Sequence, residues 1–445
     1  MALGGGNFAA HNEALPGTYI NFIQAQRADV GMSERGVVTM AMELDWGPVG
    51  DVIECTRDDF AKRCMALFGY ENSHDKMRPL REAFKNARKC YVYRLGNKET
   101  ANYAACSVAQ AIYPGICGDK ISFEIKHDPD KGKNISTYYD GKLVDHQYLK
   151  SGDWNVKNNE YIAFFDTMLF VDSDQIFSFM GGSNPAVNGL TSYNDYLNLI
   201  ETYNFNIIIC PIIDIFDHDT AVRNAFAYFT ENLRDKMGFK FQCVMHAGDR
   251  DAHQRHEGIV LVENKIDAEE KWELVYWVAG LLAGTNINES ALNKLYDGEY
   301  DVNVDYTQNQ LKAIIEDGKF ALHRVGPDKR VLADINSLTE YTDVKGELFS
   351  ENQTIRVLDQ IAVDTAVIFN TRYLGTVPND ESGRLSLWSD IVKMLERLQD
   401  MRAIENFNDG DVKIEQGNTR RSVAVQLKAQ IVNAMAQLYM TVYVG

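Results

Sequence analysis

The run Phe205-Asn-Ile-Ile-Ile-Cys-Pro-Ile-Ile constrains this chain more than any other stretch. A short block of β-branched residues with no polar alternation reads as a strand covered on both faces. Such a strand needs a parallel or mixed sheet with helices packed on either side. Its flanks supply them. Ser192 to Tyr203 carries a helical pattern, and Val222, Ala225, Phe226, Phe229 and Leu233 recur at helical spacing in a segment that Asp217 or Asp219 caps and Gly238 stops. Phe241-Gln-Cys-Val-Met and Ile259-Val-Leu-Val are further strands, and Glu269 to Gly284 is a further helix. Residues 179–333 therefore read as an α/β domain of βαβ logic.

The chain has 445 residues, too many for one core, so more domains are expected. Residues 30–97 read as a small α/β unit. Val37 to Leu44 and Lys89 to Leu95 are its strands, and two amphipathic helices carry Phe60, Cys64, Leu67 and Phe68, then Leu80, Phe84 and Ala87. Over 98–178 the helical period disappears. Ile121-Ser-Phe-Glu-Ile and Tyr161-Ile-Ala-Phe-Phe alternate with the turn signals Asp128-Pro-Asp-Lys-Gly and Asp140-Gly-Lys, so this stretch reads as a β-sandwich-like domain, with Gly181-Gly-Ser-Asn-Pro as a linker after it. In 334–418 two long helical patterns, Asn352 to Leu374 and Leu385 to Ile404, flank Thr376-Val-Pro-Asn-Asp-Glu-Ser-Gly. Ile355, Leu358, Ile361, Thr365, Ile368 and Phe369 form the expected core stripe of the first.

The fold class is thus α/β and α+β multidomain, with terminal segments left over as arms, 1–29 and 419–445. In the second arm Val423, Val425, Leu427, Ala429 and Ile431 share one face, and Ala424, Gln426, Lys428 and Gln430 share the other, the period of a half-buried strand. Asn433-Ala-Met-Ala offers a bend before Leu438-Tyr-Met-Thr-Val-Tyr-Val. Near the other end Leu15-Pro-Gly-Thr-Tyr-Ile-Asn-Phe-Ile follows a glycine-rich leader. Either these strands pair within their own sheet, or they add to the sheets of neighbouring copies.

The formal net charge of -18 argues against nucleic-acid and anionic-membrane partners, which attract clustered Lys and Arg. The apolar run Ile207 to Ile213 is too short to span a bilayer. Cys55, Cys64, Cys90, Cys106, Cys117, Cys210 and Cys243 are scattered without a C-x-x-C pair, which favours reduced thiols and assembly in a cytoplasm. No cofactor motif is present: G-x-G-x-x-G, G-x-S-x-G and H-E-x-x-H are all missing, and no catalytic residue stands out. The strongest chemical cluster is His246-Ala-Gly-Asp-Arg-Asp-Ala-His-Gln-Arg-His256, whose His246, His253 and His256 with Asp249 and Asp251 are metal-ligand residue types placed after a strand. Its spacing matches no ligand signature. A cytosolic hydrolase or metal enzyme using this loop is the alternative reading of function.

Taken together, Leu15-Pro-Gly-Thr-Tyr-Ile-Asn-Phe, Arg35-Gly, Trp46-Gly-Pro, Tyr373-Leu-Gly-Thr-Val-Pro-Asn-Asp-Glu-Ser-Gly-Arg384 and Leu438-Tyr-Met-Thr-Val-Tyr-Val resemble the tail sheath proteins of contractile phage tails. The branch they resemble is that of Gram-positive phages, defective prophages and phage-tail-like bacteriocins. The resemblance implies a subtilisin-like α/β domain without protease activity. It also implies a non-enzymatic virion or particle component, assembled in the host cytoplasm as a helical homopolymer of stacked hexameric rings. The expected partners are an inner tail tube protein and baseplate and tail terminator proteins, and contraction would drive the tube through a bacterial envelope. On matching positions, Tyr19, Ile20, Phe22 and Ile23 would be the N-terminal donated strand. Val423, Val425, Leu427 and Ile431, with Leu438, Met440 and Val442, would be the C-terminal donor. The tube-facing region would be 334–418, with Lys393, Arg397 and Arg402 toward the tube and Glu396, Asp400 and Glu405 interleaved.

Overall fold

A computed structural model describes residues 32–128, 132–150, 156–165, 173–212, 217–248, 255–266 and 274–444. The N-terminal described part holds β1 (Val37–Met42), β2 (Val52–Thr56), α1 (Arg57–Phe68), α2 (Arg78–Phe84) and β3 (Lys89–Arg94). Thr56 starts α1 through a capping box: its hydroxyl accepts from the Asp59 N–H while the Asp59 carboxylate accepts from the Thr56 N–H. Gly69, at φ 75°, ends the helix in the left-handed conformation that a Cβ disfavours.

An all-β region follows, with β4 (Ala109–Ala111), β5 (Ile121–Asp128), β6 (Gly132–Tyr139), β7 (Lys142–Lys150), β8 (Ile162–Phe164) and β9 (Gln175–Ser178). Strands β7-β6-β5-β9 form one antiparallel sheet, and β4 pairs with β8. The base of the region is closed where the Asn97 N–H donates to the Ala186 carbonyl at 3.0 Å. Trp46 sits at the joint among Tyr113, Tyr139 and Tyr161. The buried Arg94 guanidinium donates to the carbonyls of Leu44, Gly47 and Pro114, so it ties three chain segments at once.

The chain then returns through α3 (Gly189–Ile200), β10 (Ile207–Cys210), α4 (Asp217–Glu231), β11 (Gln242–His246), β12 (Ile259–Val262), α5 (Leu274–Gly284), α6 (Gln308–Glu316), β13 (Lys319–Phe320) and a hairpin of β14 (Leu322–Val325) and β15 (Asp328–Val331). The C-terminal part comprises α7 (Asn352–Ile368), α8 (Glu381–Asp400), β16 (Ile404–Glu405), β17 (Val412–Gln416), β18 (Val423–Leu427) and β19 (Gln430–Ile431).

One seven-stranded sheet, β13-β12-β11-β10-β1-β3-β2, organises the body. All its ladders are parallel except β2 against β3. Ile207 and Ile209 face α5 in one apolar cluster, and Ile208 and Cys210 face Tyr193, Tyr196 and Phe226 in another. The doubly covered strand expected at this run is therefore what forms, with both faces buried.

The sequence separates 30–97 from 179–333 as two units, and the fold joins them in one sheet. β1 pairs with β10 in the register Val38↔Ile207, across the whole inserted all-β region. Local patterning carries no signal of a parallel pairing that distant. Helix bounds also shift. α8 starts at Glu381 rather than Leu385 because the Asp380 carboxylate accepts the Gly383 N–H at 2.7 Å, and the helix stops at Asp400, leaving Ile404 in a strand. Past α7 the helix widens into a π turn over Phe369–Tyr373.

Candidate functional site

The C-terminal strands form two small two-stranded sheets. β17 and β18 pair antiparallel from Val412↔Leu427 to Gln416↔Val423, and β16 pairs with β19 through Ile404↔Ile431. Val423, Leu427 and Ile431 pack half-buried on the C-terminal core, whereas Val425 is 41% exposed. The donor expected over residues 423–431 is thus already paired within its own chain, because the turn at 417–422 brings β18 back onto β17. The Asn379 side chain fixes that turn by donating to the carbonyls of Arg420 and Ser422 at 3.1 and 2.9 Å.

Among the described residues only one edge of β17 is paired with a strand. The Lys428 N–H donates to Asp411 O and the Gly417 N–H to Ser422 O, so by alternation Ile414 and Gln416 direct their backbone groups outward. On that side Trp388 of α8 donates to the Val412 carbonyl at 3.1 Å. Beyond it opens a groove of about 520 Å³ lined by Glu381, Arg384, Leu385, Trp388, Ile414, Glu415 and Gln416.

The chain after β19 is exposed. Leu438, Tyr439, Met440, Val442, Tyr443 and Val444 are between 67 and 92% accessible. A run of aliphatic and aromatic side chains left in water marks an interaction segment. Tyr19, Ile20, Phe22 and Ile23 lie outside the described residues.

The roots of this region converge on α7, and sequence reasoning missed how. Its buried residues include Asn352, Gln353, Thr354, Arg356, Asp359, Gln360 and Asp364. Each buried polar group needs a partner. The Gln353 amide accepts from the Ala434 N–H at 2.9 Å and donates to the Val432 carbonyl at 3.1 Å, and Thr354 bonds the Asn433 amide. Arg356 donates to Glu289 O and pairs with Asp334, while Asp359 takes the buried Arg234 guanidinium on both oxygens at 2.8 and 2.9 Å. Asp364 accepts from the Ser33 N–H at 2.9 Å and from its hydroxyl at 2.6 Å, and Gln360 donates to that hydroxyl. Burial lowers the nearby Arg35 guanidinium to about 10, although Asp359 and Asp364 oppose the shift. Composition gave no signal: eight of the seventeen residues of α7 are polar or charged, as one solvent face would allow.

The histidine loop divides. His246 ends β11, buried, and desolvation, with Arg223 and Lys265 adding to it, pushes its imidazole down to about 3. His256 accepts the Gly258 N–H on Nδ1 at 2.9 Å, so its proton sits on Nε2, facing Asp235 at 3.2 Å and Glu257 at 3.4 Å. These three residues have ligand atoms within 4.8 Å of one another. Lys345 reaches both Glu257 oxygens at 2.8 and 3.0 Å and Asp235 at 3.5 Å. With the ring nitrogen protonated and an ammonium already among the carboxylates, the cluster is an ion-pair seam between the body and the segment leading to α7. Burial raises the Glu257 carboxyl, but His256, Lys345 and Arg234 outweigh it and hold it below its ordinary value. His253 lies outside the described residues.

On α8, Lys393 is exposed and Arg397 half-buried, with exposed Glu396 and Asp400 between and after them. Arg402 is exposed in a left-handed turn at φ 62°. This face carries mixed charge.

Comparison with known proteins accounts for the architecture. Family models match at residues 35–95 (tail sheath protein Gp18 domain III N-terminal region), 186–337 (phage tail sheath protein central domain) and 344–445 (phage tail sheath C-terminal domain). The sheath tail protein of Desulfitobacterium hafniense is 30% identical with a TM-score of 0.74, over 95% of this chain and 99% of that one. The PBSX phage-like element protein XkdK of Bacillus subtilis is 28% identical, over 100% of both chains. The helical sheath of the anti-feeding prophage in its contracted state, 13% identical with a TM-score of 0.58 over 97% of this chain and 99% of that one, shares the fold. With that identity and coverage, the chain belongs to the phage tail sheath protein family.

Proposed function

We propose that this chain polymerises as stacked hexameric rings around an inner tail tube by donating its C-terminal segment, Leu438 to Val444, to a neighbouring copy. As a member of the sheath family it is a structural protein and not an enzyme. The observation that carries the reading is an exposed apolar run together with a strand edge left unpaired among the described residues, beside a groove of mixed lining whose apolar side chains are Leu385, Trp388 and Ile414. Strand addition satisfies backbone groups along such an edge and seats alternate side chains in the groove. Leu438, Met440 and Val442 alternate as a strand requires, and Leu385, Trp388 and Ile414 line the receiving groove. The β17–β18 hairpin then serves as the receiving sheet through the outer edge of β17, with Val423–Leu427 as its inner strand. Tyr19, Ile20, Phe22 and Ile23 are assigned as the N-terminal donor on the sequence alone. A contact that does not close on itself propagates as a helix. Contraction is the repacking of that helix, triggered at the baseplate, and it drives the tube through a bacterial envelope; a tail terminator caps the polymer. Lys393, Arg397 and Arg402 are assigned to the tube, with Glu396 and Asp400 limiting their attraction.

Truncation after Asn433 tests the donation. It keeps β18, β19 and the contacts of Gln353 and Thr354 to residues 432 and 433, so the chain is expected to fold as a soluble monomer that forms no tubes in negative-stain images. Tubes of normal length from that truncation would end the proposal.

A further inference from the structure

The roots of both terminal arms are bonded to one helix. Residues 432–434, from which the exposed C-terminal run departs, are held by Gln353 and Thr354 at the start of α7. Ser33, just after the N-terminal arm, is held by Gln360 and Asp364 further along it. The two anchor points are eleven positions apart at most, about 16 Å along a helix at roughly 1.5 Å per residue. Between them, Arg356 and Asp359 fasten the helix to Glu289, Asp334 and Arg234 of the α/β body.

We infer that α7 is a strut that couples the two arms of a subunit, so that a pull received through one arm is delivered to the other along one helix, with the body hung from its middle. The inference rests on the proposal that the arms are donated to neighbours. The bonds themselves suit the task. The Gln353 amide engages a backbone N–H and a backbone C=O together, as a strand partner does, and Asp364 takes the Ser33 backbone and side chain on one oxygen. Each is directional, so it fixes a position that apolar packing leaves free to slide. An α-helix under axial load keeps its length, since its own hydrogen bonds run along the axis. Repacking of the bodies then leaves the spacing of the arm roots within each subunit unchanged.

Links in series have a signature: cutting either end is as bad as cutting both. Full-length chains carrying Gln353→Ala with Thr354→Val, Ser33→Ala with Asp364→Ala, or all four changes, are polymerised and compared by tube length in negative-stain images and by the urea concentration that disperses the tubes. Both two-site variants are expected to start tubes that are several-fold shorter and disperse at lower urea, and the four-site variant is expected to match either. Additive losses, or tubes of unchanged length and urea resistance, would overturn the strut. A reversible version covers variants that fold poorly: Ser33→Cys with Asp364→Cys should give short tubes when reduced and full-length ones after diamide oxidation. Equal lengths in the two states would count against the proposal. If the truncation after Asn433 polymerises, donation fails with it. If the truncation is monomeric and the root variants behave as wild type, the strut alone fails.

Discussion

Helices α5 and α7 are both enclosed by the rest of the chain, and they are built on opposite chemistry. In α5 every residue from Leu274 to Ala283 is buried, and the run Leu-Val-Tyr-Trp-Val-Ala-Gly-Leu-Leu-Ala is apolar nearly all round. In α7 seven of the eleven buried residues are polar or charged: Asn352, Gln353, Thr354, Arg356, Asp359, Gln360 and Asp364. Apolar contact is non-directional and grows with the area covered, so α5 stabilises the body wherever its surface meets α2 and the sheet. A buried hydrogen bond is worth little net but is costly to leave unmade, so α7 specifies where each partner must lie. The first helix holds a domain together, and the second locates separate segments relative to one another.

The sharpest way to break this contrast is Asp359→Ala. It strands the Arg234 guanidinium, which is 3% exposed, without its bidentate partner. Removing one member of a buried pair costs about 3–5 kcal/mol. Urea unfolding of the variant should show a loss of that size. Replacing both partners, Arg234→Met with Asp359→Leu, should recover most of it, because apolar residues of similar volume often do as well as a buried pair. If the double variant stays as unstable as the single, the pair contributes stability outright, and the idea that α7 is there for placement loses its support.

On the apolar side the corresponding test is Gly280→Val. A Cβ at Gly280 would overlap the Ala83 carbonyl of α2, a backbone atom that cannot swing aside. The substitution forces the two helices apart, and overpacking of this kind costs about 3 kcal/mol. A thermal melt unchanged from wild type would mean that α2 and α5 can separate freely, contrary to a body held by close apolar contact.

These two helices also mark how far the chain could be read before its fold was known. The doubly buried strand at Ile207–Cys210, the helix after it that stops at Gly238 and the strand at Ile259–Val262 were legible, because period, glycine stops and apolar runs are local signals. The β1 to β10 pairing was not, since a local pattern cannot announce a partner strand 169 positions away. The core stripe proposed for α7 caught Ile355, Ile361 and Ile368 and passed over its polar face, whose partners Ser33, Arg234, Glu289, Asp334 and Val432 come from across the chain. The histidine loop drew notice by composition alone. What composition does not reveal is that Lys345 occupies the position a cation would take beside Glu257.

The smallest effect expected is also the most diagnostic, because it depends on pH. Glu82 of α2 is fully buried, and desolvation raises its carboxyl to about 7, against the Glu299 N–H and the Tyr296 hydroxyl that favour the charged form. Its neighbour Glu299 stays below its ordinary value through Arg81, with Lys85 and Arg78 assisting, and so is ionised throughout the range that matters. Folding therefore takes up a proton at Glu82 between its unfolded value of 4.5 and about 7. Its contribution is fully present below the unfolded value and is lost as pH rises through the folded one. Glutamine imitates the neutral acid at every pH. Glu82→Gln should thus leave stability unchanged at pH 4 and raise it at pH 8 by up to about 3 kcal/mol, where the wild type must bury a charge. A loss at pH 8 would show that the carboxylate is welcome where it lies, and that the packing around α5 tolerates the directional polar bonds otherwise characteristic of α7.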